Sequence, residues 1–222
     1  MAALESIELQ TGPRPAATVV VLHGLGADGN DFVPIAQELD LAAVGDVRFV
    51  FPHAPVMPVT INNGMRMRAW YDVMGFGANF REDETGLRDS MAKVEELLER
   101  EKARGIGANR IVLAGFSQGC AMALLTGLRH KERLAGIVGM SGYLPLASTT
   151  ATERSDANAL APIFLAHGQQ DPVVAFERGT ASRDALRALG YDVEWHEYPM
   201  PHSVCMEEIV DLNQWLLKVL AP

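Results

Sequence analysis

The sequence predicts an α/β fold, with a mostly parallel central sheet and helices on both faces. Short apolar runs rich in β-branched residues alternate with longer segments of helical periodicity. Most of those runs are continuously apolar, the pattern of strands covered on both sides. The chain has 222 residues, 48% hydrophobic and 21% charged, the balance of a globular protein with a large core. That length fits one domain over residues 1–222.

The elements follow in order. Leu4 to Leu9 reads as a short antiparallel strand. Ala17 to Leu22 reads as a buried strand ending at His23-Gly24, and Asp31 to Glu38 as a helix after the Gly26-Ala27-Asp28-Gly29-Asn30 loop. Val47 to Phe51 is a strand stopped by Pro52, because proline cannot donate to a ladder. Val59 to Arg68, with Asn62-Asn63-Gly64, interrupts both periodicities. Glu82 to Arg104 is a long amphipathic helix: Leu87, Met91, Val94, Leu97 and Leu98 recur at three- and four-residue steps. Arg110 to Ala114 is a strand stopped by Gly115, and Ser117 to Arg129 an apolar helix. Leu134 to Met140 and Pro162 to Ala166 are strands, and Ser148 to Asn158 between them is a polar surface excursion too short for a lid domain. Phe176 to Leu189 is a helix. Val193 to Tyr198 alternates more and belongs nearer an edge. Ser203 to Leu220 is a helix with Ile209, Leu212, Leu216 and Leu220 on one face. There is no internal repeat and no low-complexity linker.

The net charge of -9 argues against nucleic acid or an anionic membrane as partner. No apolar run reaches the roughly 18 residues of a spanning helix, and the first residues lack a basic segment followed by an apolar one. The expectation is a soluble cytoplasmic protein without stable membrane insertion. Two cysteines, Cys120 and Cys205, make no disulfide framework and read as free thiols.

Gly115-Phe116-Ser117-Gln118-Gly119 lies between a strand and a helix, the setting of the nucleophile elbow of α/β-hydrolases. A hydroxyl needs a base, and in that fold the chain order is serine, acid, histidine. The order excludes His23 and His53, and His130 sits at the far end of the helix that Ser117 starts. His167 ends a strand, where the acid is expected, and His196 lies inside a strand. His202 falls in the loop between the last strand and the last helix, at the carboxyl end of the sheet where ligands gather. Asp171, just after the preceding strand, is placed to orient the imidazole; Asp192 and Asp156 are weaker rivals. The backbone amides of Gln118 and Leu25, the latter between Gly24 and Gly26, are the expected oxyanion donors.

The motifs Leu22-His23-Gly24-Leu25-Gly26, Pro52-His53-Ala54-Pro55, Asn62-Asn63-Gly64-Met65 with Trp70-Tyr71-Asp72, and Gly115 to Gly119 occur in that order. Ser141-Gly142-Tyr143-Leu144, His167-Gly168 to Asp171-Pro172, and Tyr198 to His202-Ser203 follow. Together they resemble the phospholipase/carboxylesterase family, which includes carboxylesterases and acyl-protein thioesterases. The resemblance implies a compact α/β-hydrolase without a large lid and the triad Ser117, Asp171, His202. It implies hydrolysis of small carboxyl esters, acyl thioesters or lysophospholipids, with no metal and no organic cofactor. It also implies an acyl groove along residues 62–67 and the Leu144 region, with Leu25, Met65 and Leu144 as walls. Cys120 and Pro201 stand where glycine is usual in that family; Cys120 is expected to crowd the first helical turn and Pro201 to stiffen the histidine loop. A lidless groove is a surface that a homodimer can cover. The rival readings are a lactone hydrolase, perhydrolase or lyase on the same scaffold, and a non-catalytic acyl-binding module.

Overall fold

The computed structural model describes residues 4–75 and 81–221, so Met1 to Ala3, at the head of the stretch read for a targeting signal, lie outside it. The elements are β1 (Ser6–Gln10), β2 (Ala17–Leu22), α1 (Val33–Glu38), β3 (Val47–Pro52), β4 (Val56–Val59), β5 (Met65–Arg68), β6 (Val73–Met74) and β7 (Arg81–Glu82). Then come α2 (Glu84–Ala103), β8 (Ile111–Phe116), α3 (Gln118–Arg129), β9 (Gly136–Met140), α4 (Ala147–Glu153), β10 (Ile163–Gly168), α5 (Phe176–Ala188), β11 (Val193–Tyr198) and α6 (Met206–Val219).

Seven strands form one sheet in the order β1-β3-β2-β8-β9-β10-β11. β1 runs antiparallel to β3 at one edge, and the remaining neighbours pair in parallel. All seven predicted strands are present, with β11 at the expected edge.

Alternate side chains of each strand enter two separate cores. Val20, Leu22, Leu113, Ile137 and Leu165 pack with α2, α3 and α5. Val19, Val21, Val112, Val138 and Phe164 pack with α1 and α6 on the opposite face. This two-sided cover is why β2, β3, β9 and β10 are buried at every position and carry no polar alternation. α2 starts on an Asp83 cap whose carboxylate accepts the Gly86 N–H at 2.9 Å. Its stripe of Leu87, Val94, Leu97 and Leu98 is buried as the periodicity requires. Among the described residues no helix is long and apolar enough to cross a membrane.

Two expectations change. The segment 148–158 is not a mere surface excursion: Ala147–Glu153 is helical, and Thr150 and Asn158 are fully buried. Asn158 donates to the His130 and Glu132 carbonyls at 2.7 and 2.8 Å and accepts the Leu134 N–H at 2.9 Å, tying the segment to the start of β9. The interruption at 59–68 is the second strand of a hairpin, β4 paired antiparallel with β5, turned by Asn63 and Gly64 at positive φ.

At the β1–β3 end, the sheet and α2 share a buried charge network. The Glu101 carboxylate accepts from Arg48 at 2.8 Å, Thr18 Oγ1 at 3.1 Å and Arg104 at 2.8 Å. Glu101 is fully buried and Arg48 nearly so. Removing one partner strands the other charge away from water. Glu101→Ala is therefore expected to lower unfolding free energy by about 3–5 kcal/mol, read from urea denaturation.

Candidate active site

Ser117 joins β8, at the centre of the sheet, to α3. Its backbone lies at φ 56°, ψ −116°, a strained conformation for a residue with a side chain. Packing enforces it. A Cβ on Gly115 would collide with the Gly119 backbone, and one on Gly119 with the Leu22 carbonyl. Only glycine at both positions lets α3 start this close to β2 and β8. The Ser117 N–H is held by the Met140 carbonyl at 2.9 Å, which ties the turn to β9 as well.

The structure brings the three predicted side chains together. Ser117 Oγ donates to His202 Nε2 at 3.0 Å, and His202 Nδ1 donates to Asp171 Oδ2 at 2.6 Å. The other oxygen of Asp171 accepts the Val173 and Val174 N–H groups, both at 2.8 Å. The Asp171 side chain is fully buried, and its hydrogen bonds face the histidine and its own loop. The acid and base loops dock on each other. Gly168 lies against the Met200 and Pro201 carbonyls with no space for a Cβ, and the Gln169 and Gln170 amides donate to the Tyr198 and Met200 carbonyls. The Phe116 ring packs beside the His202 ring, with centroids 4.8 Å apart.

The competing histidines have other work. His23 is buried: its Nδ1 donates to the Gly24 carbonyl and its Nε2 accepts the Ala54 N–H, bracing the turn that carries Leu25. Burial holds its pKa below the ordinary value, so it stays neutral. His167 donates to the Val174 carbonyl at 2.8 Å, supporting the loop that holds Asp171; burial lowers its pKa too. His53 accepts from Gly29 N–H, His130 pairs with Glu95, and His196 lies between Glu194 and Asp211. Asp192 opens β11, at the end of the sheet away from Ser117.

Leu25, Ser117 and Gln118 line one cavity of about 350 Å³, together with Ile61, Asn62, Tyr71, Val73, Val173 and Arg178. Gln118 has a second task that the sequence reading missed. Its side-chain oxygen accepts the Trp70 N–H at 3.0 Å, and its amide nitrogen donates to the Tyr71 carbonyl at 2.9 Å. Trp70 in turn donates to the His23 carbonyl at 2.9 Å. One glutamine side chain thus locks the 70–71 segment, the Leu25 turn and the start of α3 together. Phe116 was missed as well. Both occupy the variable positions of the elbow motif, so the only sequence signal was their identity.

The expected groove walls divide. Leu25 lines the cavity. Met65 is 65% exposed on β5, and Leu144 is buried with its N–H donated to Ser182 Oγ, so neither borders the space beside Ser117. Cys120 does not crowd the helix, because its side chain fits against Gly139 and Gly142, where any Cβ would strike the sulfur. Cys120 and Cys205 are free thiols on opposite faces of the sheet. The cluster of metal-type ligands found among the described residues, Glu99, His130 and Glu132, lies at the other end of α3, where Lys102 already bridges the two carboxylates.

The sequence profile of the phospholipase/carboxylesterase family matches residues 4–220. Acyl-protein thioesterase 1 of Yarrowia lipolytica is 42% identical over 205 residues, covering 90% of this chain and 90% of that protein. Its counterpart in Neurospora crassa is 41% identical over 216 residues, covering 93% and 88%. Among solved structures, Zea mays acyl-protein thioesterase 2 superposes with a TM-score of 0.86 at 31% identity, covering 97% of this chain and 99% of that one. Arabidopsis thaliana SOBER1 gives 0.87 at 30% identity, covering 92% and 99%.

Two outcomes test this geometry. Gly119→Ala forces the helix off the Leu22 carbonyl and is expected to cost about 2–4 kcal/mol in urea melts. Burial pushes the Cys120 thiol up to about 12, far above neutral pH, so almost no thiolate is present to react. Iodoacetamide at pH 8 should leave Cys120 unmodified in the native protein, and peptide mass spectrometry should find it alkylated only after unfolding.

Proposed function

The chain belongs to the phospholipase/carboxylesterase family, and from that premise we propose that it hydrolyses acyl thioesters and carboxyl esters through an acyl-serine intermediate on Ser117. The observation that carries this reading is the continuous hydrogen-bonded line from Ser117 Oγ through His202 to the buried Asp171 carboxylate. That the chain is a hydrolase of the esterase/thioesterase class follows from the family and from relatives at about 40% identity.

Each step falls to a residue already in place. His202 Nε2 takes the Ser117 proton as Oγ attacks the acyl carbonyl carbon. Asp171 keeps the Nδ1–H tautomer and stabilises the imidazolium. The carbonyl oxygen, now negative, lies toward the Leu25 and Gln118 amides, which are rigid because the Gln118 side chain and His23 brace both turns. His202 returns its proton to the leaving sulfur or oxygen, and the thiol or alcohol departs. Water, deprotonated by the same Nε2, then attacks the acyl-serine carbonyl; the C–Oγ bond breaks, His202 returns the proton to Ser117 Oγ, and the carboxylic acid departs. The thioester half of the proposal rests on the relatives, which are acyl-protein thioesterases.

Ser117→Ala is expected to lower kcat on p-nitrophenyl butyrate and on butyryl thioesters by about 10⁴–10⁶. Asp171→Asn, which permits the wrong imidazole tautomer, should cost about 10⁴. A fluorophosphonate should add one adduct to the parent, on Ser117, and none to Ser117→Ala. Full activity in Ser117→Ala would end this reading.

A further inference from the structure

Three features of the cavity beside Ser117 point beyond the chemistry itself. Its walls include Leu25, Gln118 and Val173, whereas His202 and Phe116 are not among them. The leaving group must be within reach of His202, so this cavity takes the acyl side. Second, Tyr143 and Arg178 line it, and both also line a separate open cleft of about 430 Å³ between α4 and α5, bordered by Leu144, Ala147, Ala181 and Ala185. Third, the Arg178 guanidinium lies 3.7 Å over the Tyr143 ring, and the Tyr143 hydroxyl meets the Tyr71 hydroxyl at 3.0 Å. Tyr143 is buried and Arg178 half-buried, its long apolar stem lying at the boundary between the two spaces.

Resting on the acyl-serine reading above, we propose that the Arg178–Tyr143 stack is the end wall of the acyl cavity and sets the longest acyl chain the site accepts. The cleft beyond it is a ready extension. Ala147, Ala181 and Ala185 leave space there for a methylene chain and Leu144 gives it an apolar side, while Glu82 and Ser182 make the rest of its border polar. With the stack closed, a short or medium acyl group fills the cavity against Val73 and Val173. A longer one must displace the guanidinium from the ring and give up its cation–π contact.

The test compares kcat/KM for p-nitrophenyl butyrate, octanoate and dodecanoate in the parent, Arg178→Ala, and Arg178→Ala combined with Ala181→Phe. The expected result is a dodecanoate-to-butyrate ratio at least about tenfold higher in Arg178→Ala than in the parent. The added Ala181→Phe, which fills the outer cleft, should return that ratio to the parent value. Arg178→Lys keeps the charge but loses the planar stack and should lie between. It also carries the test if the alanine variant fails to take up a fluorophosphonate. A ratio within about twofold of the parent in the folded Arg178 variants overturns the wall, as does a gain that Ala181→Phe does not reverse. A parent showing no Ser117-dependent hydrolysis of any ester overturns the underlying reading instead.

Discussion

The backbone of Ser117 is the constraint around which the rest is arranged. Holding a residue with a Cβ at φ 56°, ψ −116° costs on the order of 1–3 kcal/mol, and it persists only where the surroundings over-determine it. Here three strands do so. β8 delivers the residue, the Met140 carbonyl at the end of β9 fixes its N–H, and Gly119 lies against the last carbonyl of β2. The last contact has a second effect. Because α3 touches β2 at Leu22, the turn that begins at His23 is in register with the start of the helix. Leu25, Ser117 and Gln118 accordingly line one cavity.

Most of this was legible in the sequence, for physical reasons that differ from element to element. β2, β3, β8, β9 and β10 are covered on both faces, and continuous apolar runs have few other uses. The hydrogen-bonded grouping of Ser117, His202 and Asp171 was legible because parallel strands deliver their carboxyl-terminal loops to one end, and chain order then sorts the candidates. The family resemblance drawn from the ordered motifs agrees with the matching family profile. What escaped depends on partners distant in the chain. Asn158 looked like a solvated loop residue, yet its amide is saturated by the backbone between His130 and Leu134. Met65 and Leu144 lie in motifs that belong near the site, but the hairpin path turns Met65 outward, and Ser182 holds the Leu144 backbone away from Ser117.

Position 120 shows how packing accommodates a side chain beside a close-packed turn: Gly139 and Gly142 supply the space for the Cys120 thiol. The same burial that makes the sulfur fit removes its reactivity, because a thiolate there has neither water nor a cation to stabilise it. Cys120 is thus a small core residue of the helix that follows Ser117.

The reacting end of the cavity is braced from every side. The Asp171 and His202 loops are joined by the Gln169 and Gln170 N–H groups donating to the Tyr198 and Met200 carbonyls, and the Phe116 ring packs beside His202. The Gln118 side chain accepts from the Trp70 N–H, and Trp70 is itself anchored to the His23 carbonyl at the start of the Leu25 turn. Preorganisation of this kind serves catalysis, because donors and bases already in position need no reorganisation as charge develops. It also restricts where substrate preference can vary. A substitution near Ser117 disturbs several braced contacts at once, so under the proposed reading acyl preference varies more readily at the cavity wall that Arg178 and Tyr143 share with the neighbouring cleft.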